Sequence, residues 1–330
     1  MGLLESDVRT HITPAPYPRI VNPMAGPIVI LGCTAAGKSD LAEAVAEKIG
    51  GELLAVDSMQ VYRGMDIGTA KPGAEIRRRH TYWMLDVADP WEVYSAARFV
   101  EAARPILESA RRDNRPMVIV GGTILYLRAL IDGLFEGPSA DEAIRSELAA
   151  RAQREGTEPM HAELARIDPA AALRIHPNDL RRVVRALEVY RLTGTPISDL
   201  QTQWSREHPA IEATFIGVRR EKEALNRRIN ARVKKMMEMG LEEEVRRLAS
   251  DPRGFSEEAA SGVGYRQLLD YFDRKCTRDE AIERIKIQTR YLAKMQRTWL
   301  KRWPGPAVKW LDAAEGVEGG QLLETAMELT

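Results

Sequence analysis

Ile28-Val29-Ile30-Leu31-Gly32-Cys33-Thr34-Ala35-Ala36-Gly37-Lys38-Ser39 runs from four apolar residues into a loop of the form G-x-x-x-x-G-K-[ST], and Leu41, Val45 and Ile49 follow at helical spacing. This order predicts a buried strand, a phosphate-binding loop and a helix. Glycines let the backbone curl until its N–H groups converge on phosphate oxygens, and the helix N-terminus adds partial positive charge. Gly32, Cys33, Thr34, Ala35, Ala36, Gly37, Lys38 and Ser39 are therefore assigned to a diphosphate or nucleotide, with Lys38 as a mobile cation and Ser39 as a hydroxyl ligand for Mg²⁺.

Outward from the loop, Leu53–Val56 ending at Asp57, and Met117–Val120 ending at Gly121-Gly122-Thr123, read as further buried parallel strands. Apolar strand runs then vanish between about 139 and 200, where Ala, Arg, Glu and Leu dominate. Ala213–Val218 returns to the sheet, a long helical pattern follows from Glu221 to about Leu248, another runs from Gly264 to Trp303, and Val308–Leu311 reads as a late strand. The expectation is an α/β fold: a P-loop core with a parallel sheet flanked by helices, plus an inserted helical domain. Its expected parts are a flexible arm over 1–25, a discontinuous core over 26–136 and 213–330, and a helical insertion over 137–212.

The third strand ends without an acid to hold magnesium, which disfavours a motor-type nucleotide hydrolase. The available acid is Asp57, at the strand edge where open α/β sheets bind ligands. Metal ligand and general base both remain open for it. Lys+Arg and Asp+Glu balance at 48 each, so overall charge gives no sign of nucleic-acid binding and local charge must carry that reading. Cys33 and Cys276 stand far apart and form no Cys-x-x-Cys pair, which argues against a zinc site or disulfide framework. No run of apolar residues is long enough to span a membrane, and no membrane partner is expected. A cytoplasmic monomer is the expected state.

Asp57-Ser58-Met59-Gln60-Val61-Tyr62-Arg63-Gly64-Met65-Asp66-Ile67-Gly68-Thr69-Ala70-Lys71-Pro72 resembles the signature of the tRNA dimethylallyltransferases, and the resemblance continues through Gly121-Gly122-Thr123, Ile175-His176-Pro177-Asn178-Asp179 and Gly264-Tyr265-Arg266-Gln267. It covers about residues 27–312. It implies that the P-loop core is NTPase/kinase-like, and a Mg²⁺-dependent enzyme that takes dimethylallyl diphosphate and prenylates the N6 amine of the adenosine just 3′ of the anticodon, with the tRNA anticodon stem-loop as partner. It gives Asp57, Thr34 and Lys38 catalytic roles, Arg232 the donor phosphate, and Asp57, Ser58, Met59 and Gln60 the surroundings of the target base. Thr123, Arg145, Gly264, Tyr265 and Arg266 are assigned to tRNA. Cys33, Ala36 and Ser39 depart from the residues usual in the family without removing a donor.

Arg228 and Arg232, four apart on one helix, share a face that could grip a diphosphate. Arg181, Arg182 and Arg185 form a second cluster, and the stretch that includes Val183 and Val184 is assigned to tRNA. Residues 274–302 carry ten Lys/Arg against three Asp/Glu. There Lys286, Arg290, Lys294, Arg297 and Lys301 are expected to face RNA phosphates while Ile282, Ile285, Leu292, Met295 and Trp299 pack, which adds Lys286 and Arg290 to the tRNA set. The five histidines show no metal-ligand spacing, and all but His176, a loop or capping residue, are expected at the surface. Rival readings are an adenylate dimethylallyltransferase, which should lack both the insertion and the basic helix, a nucleotide kinase, and an RNA-binding switch.

Overall fold

The computed structural model describes residues 26–133, 137–201, 211–303, 306–314 and 319–330. The arm expected over 1–25 lies outside them, as do Trp204 and His208. Six strands form one parallel sheet: β1 (Ile28–Gly32), β2 (Glu52–Val56), β3 (Tyr82–Trp83), β4 (Met117–Gly121), β5 (Thr214–Arg219) and β6 (Val308–Asp312), in the order β3-β2-β4-β1-β5-β6. β1 and β4 are buried along their whole length, as near-continuous Ile/Val runs require when helices cover both faces of a sheet. The fold is the expected α/β class with a helical region inserted between β4 and β5.

Register places the chemistry. Val56 pairs with Gly121 and Leu31 pairs with the same residue from the other side, so β1, β4 and β2 release their chains side by side at one edge of the sheet. Gly32, Gly122 and Asp57 are the next residues out.

The chain divides into two compact units, one of residues 132–208 and the other of the rest. The smaller has its own apolar core, in which Leu148, Met160, Leu164, Val183 and Leu187 are buried.

Three local expectations need correction. The helical pattern over 221–248 is two helices, Lys222–Glu238 and Leu241–Ala249, broken at Gly240, whose φ of 94° no helix interior accepts. The pattern over 264–303 is likewise two helices, Tyr265–Phe272 and Arg278–Lys301. The second starts at a capping box in which Thr277 and Glu280 satisfy each other's backbone N–H groups. His80, expected at the surface, is buried, and burial holds its imidazole below the ordinary value. His176 does act as a loop residue, its Nδ1 accepting from the Asn178 N–H at 3.1 Å.

Candidate active site

The phosphate loop follows β1 and feeds the helix Lys38–Ile49, as its sequence predicts. Gly37 caps that helix at φ 101°, a conformation that costs an L side chain strain, which explains the glycine there. The loop is braced from outside. Arg228 donates its Nε to the Ala35 carbonyl at 2.9 Å, and Arg220 donates to the carbonyls of Ala36 and Ala313 at 2.8 and 2.7 Å. These guanidiniums fix two loop carbonyls, while the Thr34 N–H donates to the Gln296 side chain and the Ala36 N–H to the Cys33 carbonyl. Arg228, assigned to diphosphate, thus spends at least one donor on the loop itself.

Lys38 and Arg232 are half-buried and, among the described residues, neither forms an ion pair. Burial pushes the Lys38 ammonium below its ordinary value, opposed by the attraction of Asp57 and reinforced by repulsion from Arg232. Burial likewise lowers Arg232, opposed by Asp57 and Asp40. Lys38 and Arg232 therefore carry a burial cost that the attraction of Asp57 and Asp40 does not offset. An anion of high charge would relieve it. Cys33 is buried and its thiol is pushed up by burial, against the pull of Lys38 and Arg297, so it contributes backbone and packing as a neutral thiol. Ser39 is exposed at the start of its helix.

Asp57 sits at the end of β2 with Oδ1 accepting from the N–H groups of Met59 at 2.9 Å and Gln60 at 3.3 Å. Thr123 bridges from β4: its Oγ1 accepts from the Ser58 N–H at 3.0 Å and lies 3.4 Å from the Ser58 hydroxyl. Asp57, Ser58 and Thr123 are thus one constellation.

The rest of the signature segment is held by Glu244 and Lys71, to which the sequence gives no role, together with Gln60 and Tyr265, which it assigns to RNA. Glu244 accepts from the successive N–H groups of Asp66, Ile67 and Gly68 at 2.9, 2.7 and 3.2 Å and from the Tyr265 hydroxyl at 2.6 Å. Lys71, almost fully buried, donates to Asp66 and Asp86 at 3.0 and 2.6 Å and to the Tyr62 carbonyl. Gln60 donates its amide to the Thr69 carbonyl at 3.1 Å. A tripod of Glu244, Lys71 and Gln60 fixes the shape of the segment.

Several residues assigned to tRNA have other occupations. Tyr265 is 0% exposed and is a brace, its phenol pushed up by burial and by Glu244. Arg145 and Arg185 both grip the buried Glu188: Arg145 Nε at 2.9 Å and Arg185 Nη1 at 2.6 Å. Val183 lies in the core of the smaller unit, so its side chain is unavailable to RNA, and Val184 packs against that core. Arg181, Arg182 and Arg266 are exposed, as an RNA contact needs.

The basic helix is turned differently from its expected orientation. Its buried seam is Ala281, Ile285, Ala293 and Leu300, whereas Leu292, Met295 and Trp299 remain 39, 39 and 40% exposed. Lys286 pairs with Glu283 at 2.6 Å, and Arg290 donates to the Asn230 side chain at 3.2 Å. Beside Ala293 the helix reaches the phosphate loop, where Gln296 Oε1 accepts the Thr34 N–H at 2.8 Å.

Residues 60–303 match the family model described as IPP transferase. The chain is 43% identical over 286 residues to a tRNA dimethylallyltransferase of Geobacter sulfurreducens, covering 86% of this chain and 91% of that one. It is 46% identical over 276 residues to a tRNA dimethylallyltransferase of Geobacter metallireducens, covering 83% and 89%. The chain belongs to the IPP transferase family. A crystal structure of the tRNA isopentenylpyrophosphate transferase of Bacillus halodurans superposes with a TM-score of 0.68 at 36% identity, over 92% of this chain and 95% of that one. A eukaryotic dimethylallyltransferase acting on tRNA gives 0.73 at 28% identity, over 88% and 74%. This chain is accordingly an enzyme, a transferase of the tRNA dimethylallyltransferase family of bacterial type.

Proposed function

We propose that the chain transfers the dimethylallyl group of dimethylallyl diphosphate to the N6 amine of the adenosine immediately 3′ of the tRNA anticodon, releasing diphosphate. The observation that carries the reading is that the phosphate loop after β1 and the Asp57 carboxylate after β2 leave the same edge of the sheet, with Lys38 and Arg232 half-buried in the electrostatic range of Asp57. The cations and the loop N–H groups would hold the diphosphate, which leaves as the allylic C–O bond breaks, and they stabilise the charge that develops on it. The N6 nitrogen forms the new C–N bond. Its proton passes to Asp57, whose Oδ1 is oriented by the Met59 and Gln60 N–H groups.

The donor set suits Mg²⁺. The described residues contain no cluster of three or more acid, His or Cys side chains able to cage a metal, and Mg²⁺ characteristically relies on substrate phosphates with one or two protein oxygens. The Ser39 hydroxyl would hold it, and Asp57 is the alternative oxygen. Bound there, Mg²⁺ would neutralise charge on the departing diphosphate.

Incubation with radiolabelled dimethylallyl diphosphate, Mg²⁺ and either bulk tRNA or AMP tests the proposal. Label is expected in tRNA, and label in AMP alone would replace this reading with an adenylate dimethylallyltransferase.

A further inference from the structure

Gln296 is a neutral residue inside a basic helix, and its side chain makes two directed contacts that no other residue duplicates among those described. Oε1 accepts from the Thr34 N–H in the phosphate loop at 2.8 Å. Nε2 donates to the Gly122 carbonyl at the end of β4 at 2.9 Å. The fit is close: a Cβ on Gly122 would stand 2.7 Å from that same Nε2, so a side chain there would drive the amide away.

One residue beyond Gly122, Thr123 takes the Ser58 N–H on its Oγ1, and Ser58 adjoins Asp57. A continuous path of hydrogen bonds and single peptide steps therefore links the phosphate loop to the carboxylate: Thr34, Gln296, Gly122, Thr123, Ser58, Asp57. Within that path the Gln296 amide makes the two contacts of longest sequence separation, 262 and 174 residues.

We infer that Gln296 is a positioning residue that sets the register between the diphosphate cradle and the Asp57 segment, touching neither donor nor adenine. The inference rests on the proposed reading of Gly32–Ser39 as the donor cradle. An inline transfer demands that leaving group, allylic carbon and amine be aligned, and a small displacement of one anchor against the other lowers the transfer rate more than it weakens either ligand. Because Thr34 gives its N–H to Gln296, its contribution to substrate comes from the hydroxyl. The side chain must both accept and donate, and of the uncharged side chains of this length only Gln does so.

Gln296→Glu separates this role from mere packing. The glutamate has the same shape and can still accept from Thr34, but when ionised it turns a second acceptor toward the Gly122 carbonyl, and protonation restores the missing donor. Single-turnover transfer from dimethylallyl diphosphate to tRNA, at saturating donor and with Mg²⁺, would be measured for wild type, Gln296→Glu and Gln296→Ala from pH 8 to pH 5.5. Each variant is expected to fall about 10-fold at pH 8, the scale of removing one or two hydrogen bonds. Donor affinity should change much less than the rate. The ratio of Gln296→Glu to wild type should then climb as pH falls, whereas that of Gln296→Ala stays flat. A packing role would give no such acid rescue.

Lys38→Ala, assayed alongside, keeps the two readings apart. If Lys38→Ala loses donor use while Gln296→Glu transfers at the wild-type rate, or shows a pH-independent deficit, the assignment of Gln296 is overturned and the cradle stands. If Lys38→Ala keeps wild-type donor kinetics, the cradle falls and this inference with it.

Discussion

The phosphate-loop edge and the helical unit of residues 132–208 both carry arginines that the sequence presents as ligand-binding, yet they use them in opposite ways. At the loop, Lys38 and Arg232 are half-buried with no salt bridge among the described residues, and burial lowers both against the attraction of Asp57 and Asp40. In the helical unit, Arg145 and Arg185 converge on Glu188, which is 0% exposed and also takes the Asp141 N–H at 2.7 Å. A buried carboxylate with three donors is satisfied, and its arginines are committed to it. Burial without a direct salt bridge leaves a cation's donors open to an anionic ligand. A bidentate grip on a buried acid marks cations that hold a fold.

The largest effect is expected at Asp57, the carboxylate that attracts both Lys38 and Arg232. Asp57→Asn keeps size and can still accept from the Met59 and Gln60 N–H groups, but it removes basicity. Single-turnover transfer should fall roughly 10²- to 10⁴-fold with donor and tRNA affinities little changed. Recovery of rate or donor binding at high Mg²⁺ would instead identify Asp57 as a metal ligand.

In the helical unit the expected loss is of stability, not chemistry. Burial raises the Glu188 carboxyl, but Arg185, Arg145 and the Asp141 N–H outweigh it and hold the group below the usual carboxylate range. A lowered folded value means that this stabilisation is full above the ordinary value near 4.5 and disappears as pH falls through the folded one. Glu188→Gln should therefore cost about 1.5–3 kcal/mol at neutral pH, less than a fully buried pair because both arginines are partly exposed, and the difference should narrow in acid. Chemical denaturation of both proteins at pH 7 and pH 3.5 measures it.

Exposed arginines of the same unit should behave differently again. Replacing Arg181 and Arg182 with Gln should leave stability nearly unchanged and flatten the salt dependence of tRNA binding, the log–log slope shrinking by about 0.7 to 0.9 for each phosphate no longer neutralised. An unaltered slope would place them on a solvated face.

Much of the fold is legible in the sequence because its strands are compact apolar runs. Ile28–Leu31, Leu53–Val56, Met117–Val120 and the two later runs each fall on an observed strand. Tyr82–Trp83 is not legible, since two residues pairing with Leu53 and Leu54 leave no periodicity to read. The loop, Asp57 and the signature segment can be located from motif and strand context. Their supports cannot, because Glu244, Lys71 and Gln296 act across separations of 178, 15 and 262 residues. A charge pattern shows that a helix has a basic side but not which residues lie on its seam, so it predicts packing for Leu292, Met295 and Trp299, which are exposed, and does not reveal that Arg290 donates to Asn230. Val183 and Arg145 mislead for a related reason: sequence adjacency to arginines does not reveal that a valine points inward, nor that a glutamate 43 residues away is buried beneath an arginine.

On the proposed function, Lys38 and Arg232, half-buried with no salt bridge among the described residues, hold the donor diphosphate, and Arg145, committed to Glu188, does not. Calorimetric titration of dimethylallyl diphosphate with Mg²⁺ into wild type, Lys38→Ala, Arg232→Ala and Arg145→Ala tests it directly. Lys38→Ala and Arg232→Ala should each weaken binding about 10- to 100-fold, the worth of a charge-assisted hydrogen bond, while Arg145→Ala binds as wild type does. Wild-type affinity in both loop variants, or a loss as large in Arg145→Ala, would contradict the account.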